Sequence, residues 1–544
     1  MTAQPRPRLW VVIWALLLGG LALFAAWRLQ VFALTAPVNL PGGVTWLPNT
    51  FATVDHPFHV ARADILWREL GQGRLLRWIG QHQGGYPVEF YPLGEAWLEV
   101  VIRAASLGRL SAEGAHTLAV SALFLLPGLG FLALARLDGL SPAVAVLALA
   151  LQLALPGGWY HGGYTELVQW GLVTNVAGAT AAFLMFPASL WFCQAGRWPA
   201  LALCAGLGAA AVYSNPRSLI GVAALALGVL LGLVVSPARV PLRLLLARMA
   251  LLTTITALLA APQLLALVRF EGLYTFVHYS GYADIAEYAR TSLAAVTPWV
   301  VAVAALGVVG AWGTQVNREQ GLPATRSASF ALVVYILFTG ALSFMPALAA
   351  AASQLETPRL MPVQRLLTLY LAAVGAWWLA SRLLPRQRQT REALVAAVAL
   401  VVVITLTRPP AAPVDPASPV VPAVGLYPVA MSAQPVQEDL RAAIAQADAA
   451  AAPGTALLVL GSGLSWHQAL WAPLWTQRPL SYDNWLWSWR PDQAGTPGYR
   501  ADAGNHYPDP EQTLTAQYLA AHGVGGVVVT GQAAGAAAQS PLLE

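Results

Sequence analysis

The chain has 544 residues, of which 57% are apolar and only 10% charged, and its mean hydropathy is +0.58; an ordinary soluble domain carries about 25% charged residues. This composition excludes a soluble enzyme, a disordered protein and a nucleic-acid binder, and describes a polytopic membrane protein. All 30 basic residues are arginine, which also excludes a lysine Schiff base and any phosphate loop built around lysine.

Arg6 and Arg8 precede an apolar run from Leu9 to about Ala26. It is too long for a signal-peptide core, so the expectation is a first transmembrane helix with its N-terminus in the cytoplasm. A polar segment of about residues 35–86 follows as a large outer loop. Within it, residues 57–70 have helical periodicity (Phe58, Ile65, Leu66, Trp67, Leu70), which suggests an interfacial helix. Further apolar segments run at about 87–107, 117–135, 141–156, 172–194, 198–214, 218–235, 244–269, 292–313, 328–350, 362–381 and 392–407. The first is a doubtful span, because Glu89, Glu95, Glu99 and Arg103 interrupt it.

Arg382, Arg386, Arg388 and Arg391 place one loop inside, and Arg239, Arg243 and Arg248 another. The C-terminal region then lies outside, which needs an odd number of spans; eleven or thirteen are expected. Residues 409–422 hold six prolines and read as a stiff linker. Charge changes sign across it. The 26 arginines and 15 acids of residues 1–408 give +11, whereas the 4 arginines and 10 acids of residues 409–544 give −6. Residues 423–544 read as a small α/β domain, with a helix at 436–451 and buried strands at 456–460 and 524–530. The fold class is thus an all-α polytopic membrane domain over 1–408, with a small extracytoplasmic α/β domain behind a linker. Cys193 and Cys204 lie in apolar runs and form neither a CxxC motif nor a zinc-thiolate site.

Five constellations could carry chemistry. Asp55-His56-Pro57-Phe58-His59 puts a carboxylate beside two imidazoles three residues apart: a general base or metal site, or simply a helix N-cap before proline. Tyr86 and Tyr91, between glycines and prolines, either line a substrate cleft or form an interfacial aromatic belt. Glu166 follows the turn Tyr160-His161-Gly162-Gly163-Tyr164 and is either a second acid/base or metal group or a solvated loop residue. Arg217, Arg359 and Arg365 either fork around a phosphate or snorkel to headgroups. Trp466, Trp471, Trp475, Trp485, Trp487 and Trp489 either stack on sugar rings or fill a small core, and the last three alternate as on one strand face. Asp483, Asp492, Asp502 and Asp509 read as surface charges.

Together these segments resemble the large membrane glycosyltransferases of the GT-C fold. The shared order is a first helix, an outer loop with Asp-His-x-x-His, a Gly-Gly-Tyr-Pro…Tyr-Pro-Leu entry and a later turn delivering a glutamate. More narrowly, the chain resembles bacterial membrane proteins labelled as related to 6-pyruvoyl-tetrahydropterin synthase. The motifs cover about residues 9–220. The resemblance implies an inverting transferase of the bacterial inner membrane. It would take a sugar from a polyprenyl phosphate and pass it to an extracytoplasmic glycan, lipid or protein. Asp55 would be the general base, Glu166 the assisting acid, and Arg217, Arg359 and Arg365 the phosphate holders; His56, His59, Tyr86 and Tyr91 would contact substrate. A divalent cation, if one is used, would fall to Asp55, His59 and Glu166, although the paired acids usual in the first loop are absent. The readings from other classes are a transporter or flippase of a lipid-linked glycan, and a non-catalytic glycan-binding scaffold.

Overall fold

A computed structural model describes residues 16–25, 55–81, 85–89, 91–158, 160–236, 240–270, 274–275, 282–313, 322–351, 356–385, 387–406, 438–460, 472–481, 488–489, 499–502, 505–529 and 534–542. Six helices among them are long and apolar enough to cross a membrane: Ala112–Leu137, Val173–Ala195, Leu242–Arg269, Pro323–Phe344, Thr357–Leu383 and Arg388–Leu406. A seventh candidate is the pair Ile285–Val296 and Pro298–Trp312, bent by 88°. The bend falls at Thr297, held at φ +70 just before Pro298, so the run expected at 292–313 starts its straight part only at the proline. Four shorter apolar helices, Leu16–Ala25, Pro142–Ala154, Trp198–Ser214 and Ser218–Val234, complete the set. The protein is a multi-pass membrane protein.

The doubtful segment at 87–107 is not a span. It folds as a 12-residue helix, Gly94–Ala105, about 18 Å long against a hydrocarbon core of about 30 Å. Its Glu95 and Glu99 are buried against His59, Arg62 and His116. By length and composition six of the described helices, or seven with the bent pair, can cross a membrane, against the eleven or thirteen spans expected; the shorter apolar helices account for the difference.

Small residues let the spans approach closely. Helices Pro298–Gly313 and Met361–Leu383 cross at Gly307 and Gly375. A Cβ on Gly375 would fall on the Val303 carbonyl oxygen, and one on Gly307 on the Leu371 carbonyl oxygen. Backbone cannot yield as a side-chain tip can, so Gly375→Val is expected to cost ~3 kcal/mol. Gly340→Val, where nothing lies within 4 Å, should leave the melting temperature in detergent unchanged.

The outer-loop helix His56–Gly71 is internal rather than interfacial. It packs against Gly94–Ala105 on one side and the C-terminal region on another. Phe58, Ile65, Leu66, Ile79 and Tyr86 share one core with Leu440, Ile444, Leu457, Leu480 and Val528. The C-terminal strands Leu480–Ser481, Ala456–Leu460 and Val524–Val529 form a parallel sheet in that order, behind helix Glu438–Ala450. Arg478 ties this helix to the sheet. It pairs with Asp448 and donates to the Asp448 and Ala451 carbonyls at 2.9 and 2.8 Å. The loop continues the layer through Leu480 N–H to the Gly80 carbonyl at 3.0 Å.

Asp509, expected at the surface, is buried and caps a short helix through the Glu511 N–H. The linker at 409–422 and Trp466, Trp471, Trp485 and Trp487 lie outside the described residues, as do Asp483 and Asp492. Trp475 packs against the shared core. Trp489 belongs to a two-residue strand paired with Tyr274–Thr275.

Candidate active site

The site is built on the N-terminal turn of helix His56–Gly71. Pro57 pre-sets that turn, and His59 N–H closes it on the Asp55 carbonyl at 3.2 Å. The expected capping bond is not made. Asp55 has helical backbone angles, and its carboxylate caps no N–H. Instead it is buried, and its Oδ1 has no partner among the described residues. Burial pushes its pKa up to about 7, and the positive charge of Arg359 opposes the rise.

His56 and His59 diverge rather than forming one ligand set. The His56 Nε2–H donates to the Val168 carbonyl at 2.8 Å. Its Nδ1 therefore accepts from His116 Nε2, also at 2.8 Å, and His116 Nδ1 lies 2.7 Å from Glu99. His59 donates through Nδ1 to Glu95 at 3.0 Å. Arg62 reaches the same Glu95 oxygen at 3.0 Å and donates to the Tyr91 and Pro92 carbonyls at 2.5 and 2.6 Å. Arg62 thus holds the Tyr-Pro-Leu entry against the helix. Burial lowers the pKa of both His56 and His59, so both are neutral at pH 7.

Tyr91 borders the site. Its ring stands edge-on to Phe58 at 5.2 Å under the Arg62 guanidinium at 4.4 Å. Burial, then the Asp55 charge, pushes its phenol up to about 12. Tyr86 does not line a cleft. It is buried in the core shared with the C-terminal strands.

Glu166 sits on a π-helical turn, Thr165–Gln169, and is fully buried rather than solvated. It accepts from Gly162 N–H and from Asn175 Nδ2 at 2.6 Å. Asn175 also donates to the Arg359 carbonyl at 3.2 Å and accepts from Asn215 at 2.9 Å. Burial raises the Glu166 pKa to about 7 against the pull of the Asn175 and Gly162 hydrogen bonds. Gly163, at φ +76, permits the turn: a Cβ there would meet the Pro156 oxygen at 2.8 Å and the Arg365 guanidinium at 3.1 Å. The turn returns onto the first-loop helix. A Cβ on Gly171 would lie 2.8 Å from the His56 nitrogen and 3.1 Å from that of Asp55. The elements carrying Asp55 and Glu166 are therefore in contact.

The three arginines part ways. Arg365 is buried within the bundle, donating to Ala295 O at 3.1 Å, Leu155 O at 2.9 Å and the Gln152 side chain. It is a strut between helices, not a phosphate holder. Arg217 and Arg359 are partly exposed and converge on Glu356, at 2.6 and 2.5 Å. Arg359 also lies over the Tyr160 ring at 4.5 Å. Glu356 is held at φ +46, a conformation costing about 1–3 kcal/mol in a residue other than glycine.

Among the described residues, no three His, Cys, Asp or Glu side chains come together as a metal-binding group. Both Glu166 oxygens are engaged by N–H donors and His59 faces Glu95 through Nδ1; Asp55, His59 and Glu166 are not gathered into one such group.

No family model and no curated protein matches the chain. Solved structures do. ArnT from Cupriavidus metallidurans in the apo state aligns over 87% of this chain and 86% of its own, at 15% identity and a TM-score of 0.50. The chain has the GT-C fold. Arabinofuranosyltransferase AftD from Mycobacteria aligns over 85% of this chain at 14% identity and a TM-score of 0.47. Oligosaccharyltransferase AglB from Archaeoglobus fulgidus aligns over 85% at 11% and 0.45. The chain spans 31% of the length of AftD and 64% of that of AglB. The narrower likeness to proteins labelled as pterin synthase-related gains no support from these matches.

Glu356, Arg62, Glu95, Glu99, His116 and Asn175 were not singled out as site residues from the sequence. For Glu95 and Glu99 the signal is their place as acids inside the apolar 87–107 run; the other four carry none.

Proposed function

We propose that the protein is an inverting glycosyltransferase that moves a sugar from a polyprenyl-phosphate donor to a hydroxyl of an extracytoplasmic glycan, lipid or protein. The observation that carries this reading is the buried Asp55 carboxylate, with one oxygen unpartnered among the described residues and Arg359 close enough to shift its pKa.

Asp55 takes the proton of the acceptor hydroxyl as its oxygen bonds to the sugar's anomeric carbon. The bond from that carbon to the donor phosphate oxygen breaks, and the lipid phosphate leaves carrying the electron pair. Arg217 and Arg359 meet the charge that develops on it, where a low-dielectric setting makes such donors most effective. Glu166 keeps the adjoining turn and Asn175 in register with Arg359. On this reading residues 1–408 carry the chemistry in the bacterial inner membrane, with the N-terminus cytoplasmic. The 423–544 domain lies on the acceptor side.

The test is transfer from a polyprenyl-phosphate sugar by the purified protein, followed across pH. A base works only when ionised, so kcat should rise as pH passes through about 7 and level off above it. A rate independent of pH between about 5 and 9 would remove Asp55 from this role.

A further inference from the structure

Arg217 lies just before helix Ser218–Val234, and Arg359 lies in the turn Thr357–Leu360. Both reach the same oxygen, Glu356 Oε2. Tyr160 faces the pair as well, under the Arg359 guanidinium and with its hydroxyl 3.4 Å from Arg359 Nη2. Two cations therefore share one carboxylate oxygen, and burial together with the Arg359 charge pushes Arg217 down to about 10.

The carboxylate is delivered from a backbone in the left-handed region, which a residue with a Cβ occupies only under strain. Two forked guanidiniums aimed at one oxyanion are the arrangement that recognises carboxylates and phosphate esters alike.

We propose that Glu356 is an internal stand-in for a phosphate ester: it holds Arg217 and Arg359 together until a phosphate oxygen takes its place. The proposal rests on the reading of these two arginines as phosphate holders. Displacement lets Glu356 leave its left-handed conformation, so ligand arrival and release of strain are one event. The carboxylate also makes the site selective. A phosphate ester must outcompete it, which a passing headgroup with no other contacts does poorly.

The experiment measures binding of polyprenyl phosphate, and separately of inorganic phosphate, to the full-length protein in detergent by intrinsic fluorescence and thermal shift. Glu356→Gln keeps the side-chain shape but removes the competing charge. It should bind polyprenyl phosphate about tenfold more tightly than wild type, melt lower without the ligand and recover with it. Arg217→Gln and Arg359→Gln should each lose binding.

Unchanged or weaker affinity in folded Glu356→Gln, with binding lost in the arginine variants, overturns the stand-in and leaves the phosphate reading intact. Undiminished binding in both arginine variants overturns the phosphate reading itself. Should Glu356→Gln not fold, Glu356→Asp replaces it. Its shorter reach should tighten binding severalfold, and wild-type affinity there counts against the stand-in. Tightening for both probes assigns the site to the phosphate group as such, and tightening for the polyprenyl ester alone assigns it to the lipid-linked form; either supports the proposal.

Discussion

Asp55→Asn is expected to abolish sugar transfer while leaving the protein as stable as wild type or more so. Loss of a general base costs about 10²–10⁴-fold in rate, and asparagine keeps the size of the side chain. The stability half of the prediction separates catalysis from folding. Asp55 makes no capping bond, and one of its oxygens has no partner among the described residues, so little structure depends on its charge. Its folded pKa of about 7 lies above the ordinary 3.8. Between these values the unfolded chain ionises and the folded one does not, so wild type loses stability as pH rises from about 4 to about 7. Asparagine removes that slope. Transfer assays together with melting curves at pH 5 and pH 8 test both halves. A variant that unfolds would return Asp55 to the role of structural cap.

Arg62→Ala is expected to act in the opposite sense, destroying the fold of the outer loop rather than the chemistry alone. One guanidinium serves Glu95 and the carbonyls of Tyr91 and Pro92, all in the protein interior. Its removal leaves a buried carboxylate and two carbonyls without their donor, a change that costs about 3–5 kcal/mol for the ion pair alone. His59 would lose its orientation too, because Glu95 would no longer be held. The measurement is a melting temperature with limited proteolysis of the outer loop. Glu95→Gln, which keeps an acceptor for both partners, should cost clearly less. Equal losses would mean that the charge of the pair, and not its hydrogen bonds, holds the loop.

What the sequence revealed divides along a physical line. The apolar helices and the order of strands and helix in the C-terminal residues follow from hydropathy and periodicity, which are local. The strands at 456–460 and 524–529 sit within a residue of their expected ends. Asp55 and Glu166 stood out because an acid in an apolar chain has few places to be. The partners did not stand out, since each is fixed by packing between distant segments. Arg217 and Glu356 meet across 139 positions of chain, and Arg62 and Glu95 across 33. Arg359 and Arg365 are alike in sequence. A 3₁₀ turn gives way to an α-helix at Met361 between them, turning one toward Glu356 and the other into the bundle. Tyr86 and Tyr91 likewise looked equivalent, yet the former supports the C-terminal strands.

The core that residues 58–100 share with residues 440–528 has a consequence for biosynthesis. The helix that presents Asp55 is made well before the strands that cover its apolar side. Until those strands arrive, Phe58, Ile65 and Leu66 lack that cover, so the turn that carries Asp55 is not held as it is in the folded protein. Removal of residues 440–528 should therefore leave the apolar side of the helix that carries Asp55 uncovered.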